Sequence, residues 1–153
     1  MEGNTMRIAG TEFNLNRKCL EIYLSGCKAP RCPGCHNPEL WDFMVGSDFY
    51  LWYPKFQREL ESGMVEEVWI LGGEPQDQNI DDLVQLLEEL KDFKKDLDIA
   101  LFTRYVTIHE RLVPHLSYVK IGEFDKQLGE RYDQTLGITL ASNNQQVINL
   151  KEA

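Results

Sequence analysis

The sequence predicts an α/β fold, a partial and open (β/α) barrel of about five or six mostly parallel strands, in one domain spanning residues 1–153. Three observations predict it. Short β-branched and apolar runs alternate with segments of helical periodicity, the pattern of right-handed βαβ units on a parallel sheet. The 153 residues suffice for one sizeable core but fall well short of the roughly 250 of a closed eightfold barrel. No internal repeat, low-complexity tract or linker divides the chain.

Taken in order, Met6 to Phe13 reads as a short strand or hairpin arm broken at Gly10. Cys19 to Leu24 alternates, with Leu20, Ile22 and Leu24 on one face, and is the first sheet strand. Glu39 to Phe43 suggests a helical turn, and Asp48 to Ser62 a helix interrupted near Pro54 and stopped by Gly63. Glu67 to Leu71 is a buried strand feeding the tight turn Gly72-Gly73. From Asn79 to Phe93, Ile80, Leu83, Val84, Leu87 and Leu90 form one apolar helical stripe, and Asp81 and Asp82 in the first turn suit the helix dipole. Asp98 to Thr103 is the third strand, Ile108 to Leu112 a brief helix, and Tyr118 to Gly122 the fourth strand; Gly137 to Leu140 and Gln146 to Leu150 supply one or two more.

A hydrophobic share of 42% with 27% charged residues is that of an ordinary soluble globular protein. The formal charge of -9 argues against a nucleic-acid or anionic-membrane partner, which would call for Lys and Arg patches. Met1 to Met6 carry neither a basic nor an apolar leader pattern, and no run approaches a membrane span. The expected setting is the reducing cytoplasm, where clustered cysteines point to metal binding or catalysis rather than disulfides.

Three of the four cysteines, Cys27, Cys32 and Cys35, stand within nine residues on a loop punctuated by Gly26, Pro30, Pro33, Gly34 and Pro38. Three thiolates are one ligand short of a closed tetrahedral site. They suit a cubane of four irons and four sulfides with one iron open to a small molecule. The alternative is a structural zinc whose fourth ligand is His36, Cys19, His109 or His115, although the second Cys-x-x-Cys pair of a zinc ribbon is lacking. Cys19, in the strand, reads as a buried small hydrophobe.

Ligands of parallel sheets gather at the carboxyl ends of the strands. Those ends carry the cysteine loop, Gly72-Gly73-Glu74-Pro75, Thr103-Arg104-Tyr105 and Gly122-Glu123-Phe124. The Gly-Gly turn lets backbone approach a ligand, and Glu74 offers a carboxylate to a cation. By residue type alone, Ser142-Asn143-Asn144-Gln145 is a surface turn, Arg104 a carboxylate binder or a rim residue, and Trp41, Trp52 and Trp69 core or interface.

These segments together resemble the radical S-adenosylmethionine enzymes, and among them the small activases of class III, anaerobic ribonucleotide reductases. The resemblance rests on Leu24 to Cys27 with Cys32 to Asn37, on Gly72 to Pro75, on Phe102 to Tyr105 and on Ser142 to Gln145, and runs from about Cys19 to Leu150. It implies a fold of the radical S-adenosylmethionine type, with Cys27, Cys32 and Cys35 holding a 4Fe-4S cluster whose open iron S-adenosylmethionine chelates. Gly34, Cys35 and His36 would lie near that cofactor, Gly73 and Glu74 at its amine with Gly72 shaping the turn, and Thr103, Ser142 and Asn143 along the remaining cofactor side. The implied partners are an anaerobic ribonucleotide reductase, which receives a glycyl radical, and an electron donor such as flavodoxin. Other readings are a small-molecule enzyme such as a 7-carboxy-7-deazaguanine synthase, and a zinc-stabilised interaction module. Three features depart from the family pattern: four residues rather than three between Cys27 and Cys32, Arg104 where the family favours glycine, and no Asn-Gly-Pro-Gly stretch before the first strand.

Overall fold

The computed structural model describes residues 5–28, 38–125 and 127–152. Among them, nine strands form: β1 (Arg7–Asn14), β2 (Cys19–Leu24), β3 (Ser47–Asp48), β4 (Glu67–Gly72), β5 (Asp98–Phe102), β6 (Tyr118–Ile121), β7 (Arg131–Asp133), β8 (Ile138–Leu140) and β9 (Gln146–Asn149). Seven build one open sheet in the order β3-β1-β2-β4-β5-β6-β9, while β7 and β8 pair with each other alone. The central block is parallel, with Leu20 opposite Val68, Val68 opposite Ile99 and Leu101 opposite Val119. Both flanks are antiparallel, β1 and β3 on one side and β9 on the other. The sheet is thus more mixed than a mostly parallel expectation. The reason at β1 is local: residues 15–18 are too few for a crossover, so the chain turns straight back, with Lys18 at φ 54.

Two helices cross over the same face of the parallel block. Helix α1 (Tyr53–Glu61) follows a 3-10 turn at Phe49–Trp52. Pro54 falls in the first turn of α1, where its missing N–H leaves no bond unmade, so the expected interruption is a start. Helix α2 (Ile80–Phe93) is capped by Asn79, whose side chain accepts from the backbone N–H of Asp81 and Asp82. Its buried stripe comprises Leu83, Val84, Leu86, Leu87 and Leu90.

Period-two alternation sorts the strands into two faces. Leu20, Ile22, Leu24, Val68, Ile70, Ile99, Leu101, Val119 and Ile121 point to the helices and form one core with Phe56, Leu60 and the α2 stripe. Cys19, Trp69 and Ala100 point the other way, where Leu136 covers them and Leu71, Phe102, Tyr118 and Ile138 pack alongside. Arg17 latches the β7–β8 hairpin to this second face, donating to the carbonyls of Leu136 and Gly137 at 2.7 Å each and lying 5.1 Å from the centroid of the Trp69 ring.

Two expected elements differ. The segment Ile108 to Leu112 is turn rather than helix, and the helical piece is a 3-10 turn at Val113–His115, set by Pro114 in its first turn. Gly137 to Leu140 supplies β8, which joins the hairpin over the second face rather than the sheet.

Candidate functional site

The carboxyl ends of β2 and β4 are bonded together by backbone. The Gly73 N–H donates to the Leu24 carbonyl at 2.9 Å, and the Glu74 N–H to the Gly26 carbonyl at 2.7 Å. Only glycines permit this approach. Gly72 stands at φ +122, and a Cβ there would lie 2.2 Å from the Leu24 oxygen; at Gly73 it would lie 2.2 Å from the Gly26 oxygen. The Gln78 amide also donates to the Gly26 carbonyl, at 3.2 Å, and the Cys27 N–H donates to the Trp41 carbonyl at 3.1 Å. The first cysteine is therefore held at the head of its loop by bonds on both sides, with 6% of its surface exposed.

Glu74 organises the next layer. Its side chain is 2% exposed. One carboxylate oxygen accepts from the Arg104 backbone N–H at 2.7 Å; the other accepts from the Thr103 hydroxyl at 2.5 Å and the Gln76 N–H at 3.0 Å. Burial pushes its pKa up, opposed by these three bonds. Asp77, 4% exposed, accepts from the Lys28 N–H at 2.7 Å, from Arg104 Nη2 at 3.1 Å and from the Tyr105 hydroxyl at 2.5 Å. The Arg104 side chain, 9% exposed, bridges both carboxylates, with Nε 4.0 Å from Glu74 Oε1. Burial opposes its charge, but the Tyr105 hydrogen bond and the nearness of Cys27 and Asp77 hold it firmly protonated.

Of these, Glu74, Thr103 and Arg104 help wall a cavity of about 260 Å³ on the second face of the sheet, at the carboxyl ends of the strands. Cys27, Gly72, Gly73, Glu74, Thr103 and Arg104 line one side of it. Leu71, Phe102 and Lys120 form the floor, and Ile138 to Ala141 with Gln145 close it from the hairpin side. Lys120 Nζ lies 5.9 Å from the centroid of the Phe102 ring.

Of the expected site residues, Cys27, Gly72, Gly73, Glu74 and Thr103 come together on this cavity. Cys32, Cys35, Gly34 and His36 lie outside the described residues. Ser142 and Asn143 are not on the cavity wall. Ser142 is fully buried, its hydroxyl accepting from the Asp125 N–H at 3.1 Å and donating to the Glu123 carbonyl at 3.4 Å, so it shapes the loop after β6. Asn143 is exposed, and the cavity contact of that turn is Gln145. Reasoning from sequence did not single out Asp77, Leu71 or Lys120 and named Phe102 only within a family segment. The last three share a strand face by simple alternation, which was the available signal.

Among the described residues, the alternative zinc ligands Cys19, His109 and His115 do not meet Cys27; His36 lies outside them. Cys19 begins β2 and the cysteine loop follows its other end, about 16 Å away at roughly 3.3 Å per residue. His109 Nδ1 accepts from the Arg111 N–H at 3.1 Å, and His115 sits against α2 with Glu88, Glu89 and Asp92. Among the described residues no three His, Cys, Asp or Glu side chains group as a metal site. No helix among them is long and apolar enough to cross a membrane.

A buried thiol on the wall of a strand-end cavity, followed in the sequence by two further cysteines within eight residues, is what an iron–sulfur protein needs, and the donor chemistry fits. The chain belongs to the 4Fe-4S single cluster domain family, whose model matches residues 16–148. No curated protein and no solved structure matches it. It is accordingly an iron–sulfur, metal-binding protein with a 4Fe-4S cluster, compatible with a redox enzyme.

Proposed function

We propose that this protein is a radical S-adenosylmethionine activase that installs a glycyl radical on a partner anaerobic ribonucleoside-triphosphate reductase, on a partial, open barrel of the radical S-adenosylmethionine type. The observation that carries the reading is the meeting of Cys27 with Gly72-Gly73-Glu74 on one cavity at the carboxyl ends of β2 and β4. A cluster held by Cys27, Cys32 and Cys35 would keep one iron without a protein ligand, and Cys27 stands on the wall of this cavity. When bound, the cluster and S-adenosylmethionine supply the chemistry: one electron, from a donor such as flavodoxin, cleaves the sulfonium to methionine and a 5′-deoxyadenosyl radical, which takes hydrogen from a glycine Cα of the partner.

The chain's own residues bind and shield. Gly72 and Gly73 let the end of β4 close onto the backbone of Leu24 and Gly26, which brings Cys27 and the Gly-Gly-Glu turn to one cavity wall. The Glu74 oxygens already accept from Arg104, Thr103 and Gln76, so this carboxylate shapes the turn and lends negative charge to a cationic ligand rather than reaching out to it. Leu71 and Phe102 give the cavity an apolar floor that excludes water, and Gly34 and His36 are proposed at the adenine side.

Anaerobic reconstitution with iron and sulfide is expected to give about four irons per chain. Addition of reductant and S-adenosylmethionine then yields 5′-deoxyadenosine, and added anaerobic reductase shows a glycyl radical by electron paramagnetic resonance. Cluster without cleavage would sink the S-adenosylmethionine reading. Cleavage without a glycyl radical on the reductase would turn it toward a small-molecule enzyme such as a 7-carboxy-7-deazaguanine synthase.

A further inference from the structure

We propose that Arg104, acting with Asp77, is the positioning residue of the cluster site: it clamps the peptide that follows Cys27 and holds a guanidinium beside that thiol, setting how firmly the cluster is kept and at what potential it is reduced. The inference rests on Cys27 being a cluster ligand, and it holds whether or not S-adenosylmethionine is the cavity's ligand.

The clamp grips Lys28 by its backbone from both sides. The Lys28 N–H donates to Asp77 Oδ2 at 2.7 Å, and the Lys28 carbonyl accepts from Arg104 Nη2 at 2.7 Å. The same Nη2 also lies 3.1 Å from Asp77 Oδ2 and 2.9 Å from the Tyr105 hydroxyl, so its two N–H are shared among three acceptors. That hydroxyl donates onward to Asp77 Oδ1, and the Tyr105 ring centroid lies 4.9 Å from the guanidinium carbon. Arg104 is itself fixed through its backbone N–H on Glu74. Three strand-end loops therefore converge on one guanidinium, and the point they secure is the backbone of Lys28, the first residue after Cys27.

Two features separate this from an ordinary surface ion pair. Glu74, Asp77 and Arg104 are all nearly buried, where charges persist only with close partners. Cys27 and Arg104 also share the cavity wall, so the guanidinium belongs to the charge environment of any cluster bound there. Hydrogen bonds and net charge around cluster sulfurs set reduction potential, and groups that orient a ligand govern how well the metal is retained. Reduction adds negative charge to the cluster. A neighbouring cation favours the reduced form and a neighbouring carboxylate opposes it, so Arg104 and Asp77 pull the potential in opposite directions while cooperating mechanically.

That opposition makes the test specific. Full-length holoprotein is reconstituted for wild type, Arg104→Gln, Arg104→Lys, Asp77→Asn and Cys27→Ala. Folding of each is checked by circular dichroism. Iron release to a chelator and the midpoint potential by spectroscopic redox titration are then measured without S-adenosylmethionine. Arg104→Gln and Asp77→Asn are both expected to release iron about tenfold faster or more, the usual scale for losing an orienting partner. Their potentials move apart, Arg104→Gln to more negative and Asp77→Asn to less negative values. Arg104→Lys restores the potential but not the retention, because it keeps the charge and loses the fork. Potentials that stay put or move together in folded variants would overturn the inference, as would wild-type iron release in Arg104→Lys, which decides the matter even if Arg104→Gln does not fold. If Cys27→Ala keeps its cluster at unchanged potential, the ligand assignment has failed and the inference with it; if Cys27→Ala loses the cluster while Arg104→Gln behaves as wild type, only the inference falls.

Discussion

The two faces of the parallel block are built from the same four strands and have opposite chemistry. Toward the helices, Leu20, Ile22, Leu24, Val68, Ile70, Ile99, Leu101, Val119 and Ile121 form an all-aliphatic layer sealed by α1 and α2. On the other side stand Glu21, Tyr23, Trp69, Leu71, Phe102 and Lys120, covered only in part by the β7–β8 hairpin. One face is spent on stability and the other is left shaped but unfilled. The cavity opens where the hairpin stops and the strand-end glycines begin. Burial on both faces holds the strands in register, and that register aligns the turns after β2 and β4, so the stability face also positions the site.

Substitutions on the two faces should separate stability from chemistry. The largest effect is expected from Phe56→Ala, which empties a fully buried position between α1 and the sheet and should cost about 3–5 kcal/mol. Urea unfolding would read this as a lower midpoint at unchanged slope.

Glu74→Gln comes next, because an amide cannot accept from Arg104, Thr103 and Gln76 together, and leaving one donor facing another should cost about 1–3 kcal/mol. This residue also carries a pH signature. Its pKa in the folded chain is raised above the ordinary 4.5, chiefly by burial, so the folded state holds the proton more tightly than the unfolded one. Its contribution to stability is therefore greatest below the unfolded value and is lost as pH rises through the folded value. Urea midpoints across this range should fall more steeply for wild type than for Glu74→Gln.

The smallest effect is expected at the cover of the second face. Arg17→Gln removes the two bonds to Leu136 and Gly137 and the contact with Trp69, at about 0.5–1.5 kcal/mol. Hydrogen exchange should quicken in residues 131–140 while β4 and β5 stay protected. Equal quickening throughout would mean that the hairpin belongs to the core rather than to the cover.

Much of this was legible from residue order. The alternation of Leu20, Ile22 and Leu24 and the stripe from Ile80 to Leu90 mark β2 and α2 because each burial pattern repeats with the geometry of one local element. Gly72-Gly73 at a strand end signalled a close backbone approach, expected toward a ligand; the approach the structure shows is to the backbone of Leu24 and Gly26. Ser142, read as a surface turn by residue type and as a cofactor neighbour only through the family resemblance, is buried with its hydroxyl bonded in the loop after β6, to partners it meets only in the folded chain. The β8 segment has a strand's composition, but nothing in three residues tells whether they join a sheet or cover one.

By itself the sequence determined the three-cysteine loop, the Gly-Gly-Glu turn and the strands that precede them, since spacing, conformational freedom and periodicity are local properties. Only the tertiary structure decided that Arg104, Asp77 and the peptide of Lys28 meet behind Cys27. Their separations of 76 residues between Arg104 and Lys28 and 49 between Lys28 and Asp77 are closed by parallel pairing alone. Hydrogen bonds of 2.7 Å between such distant groups depend on the register of three strands at once, and register is set by the buried faces rather than by the residues that form the bonds.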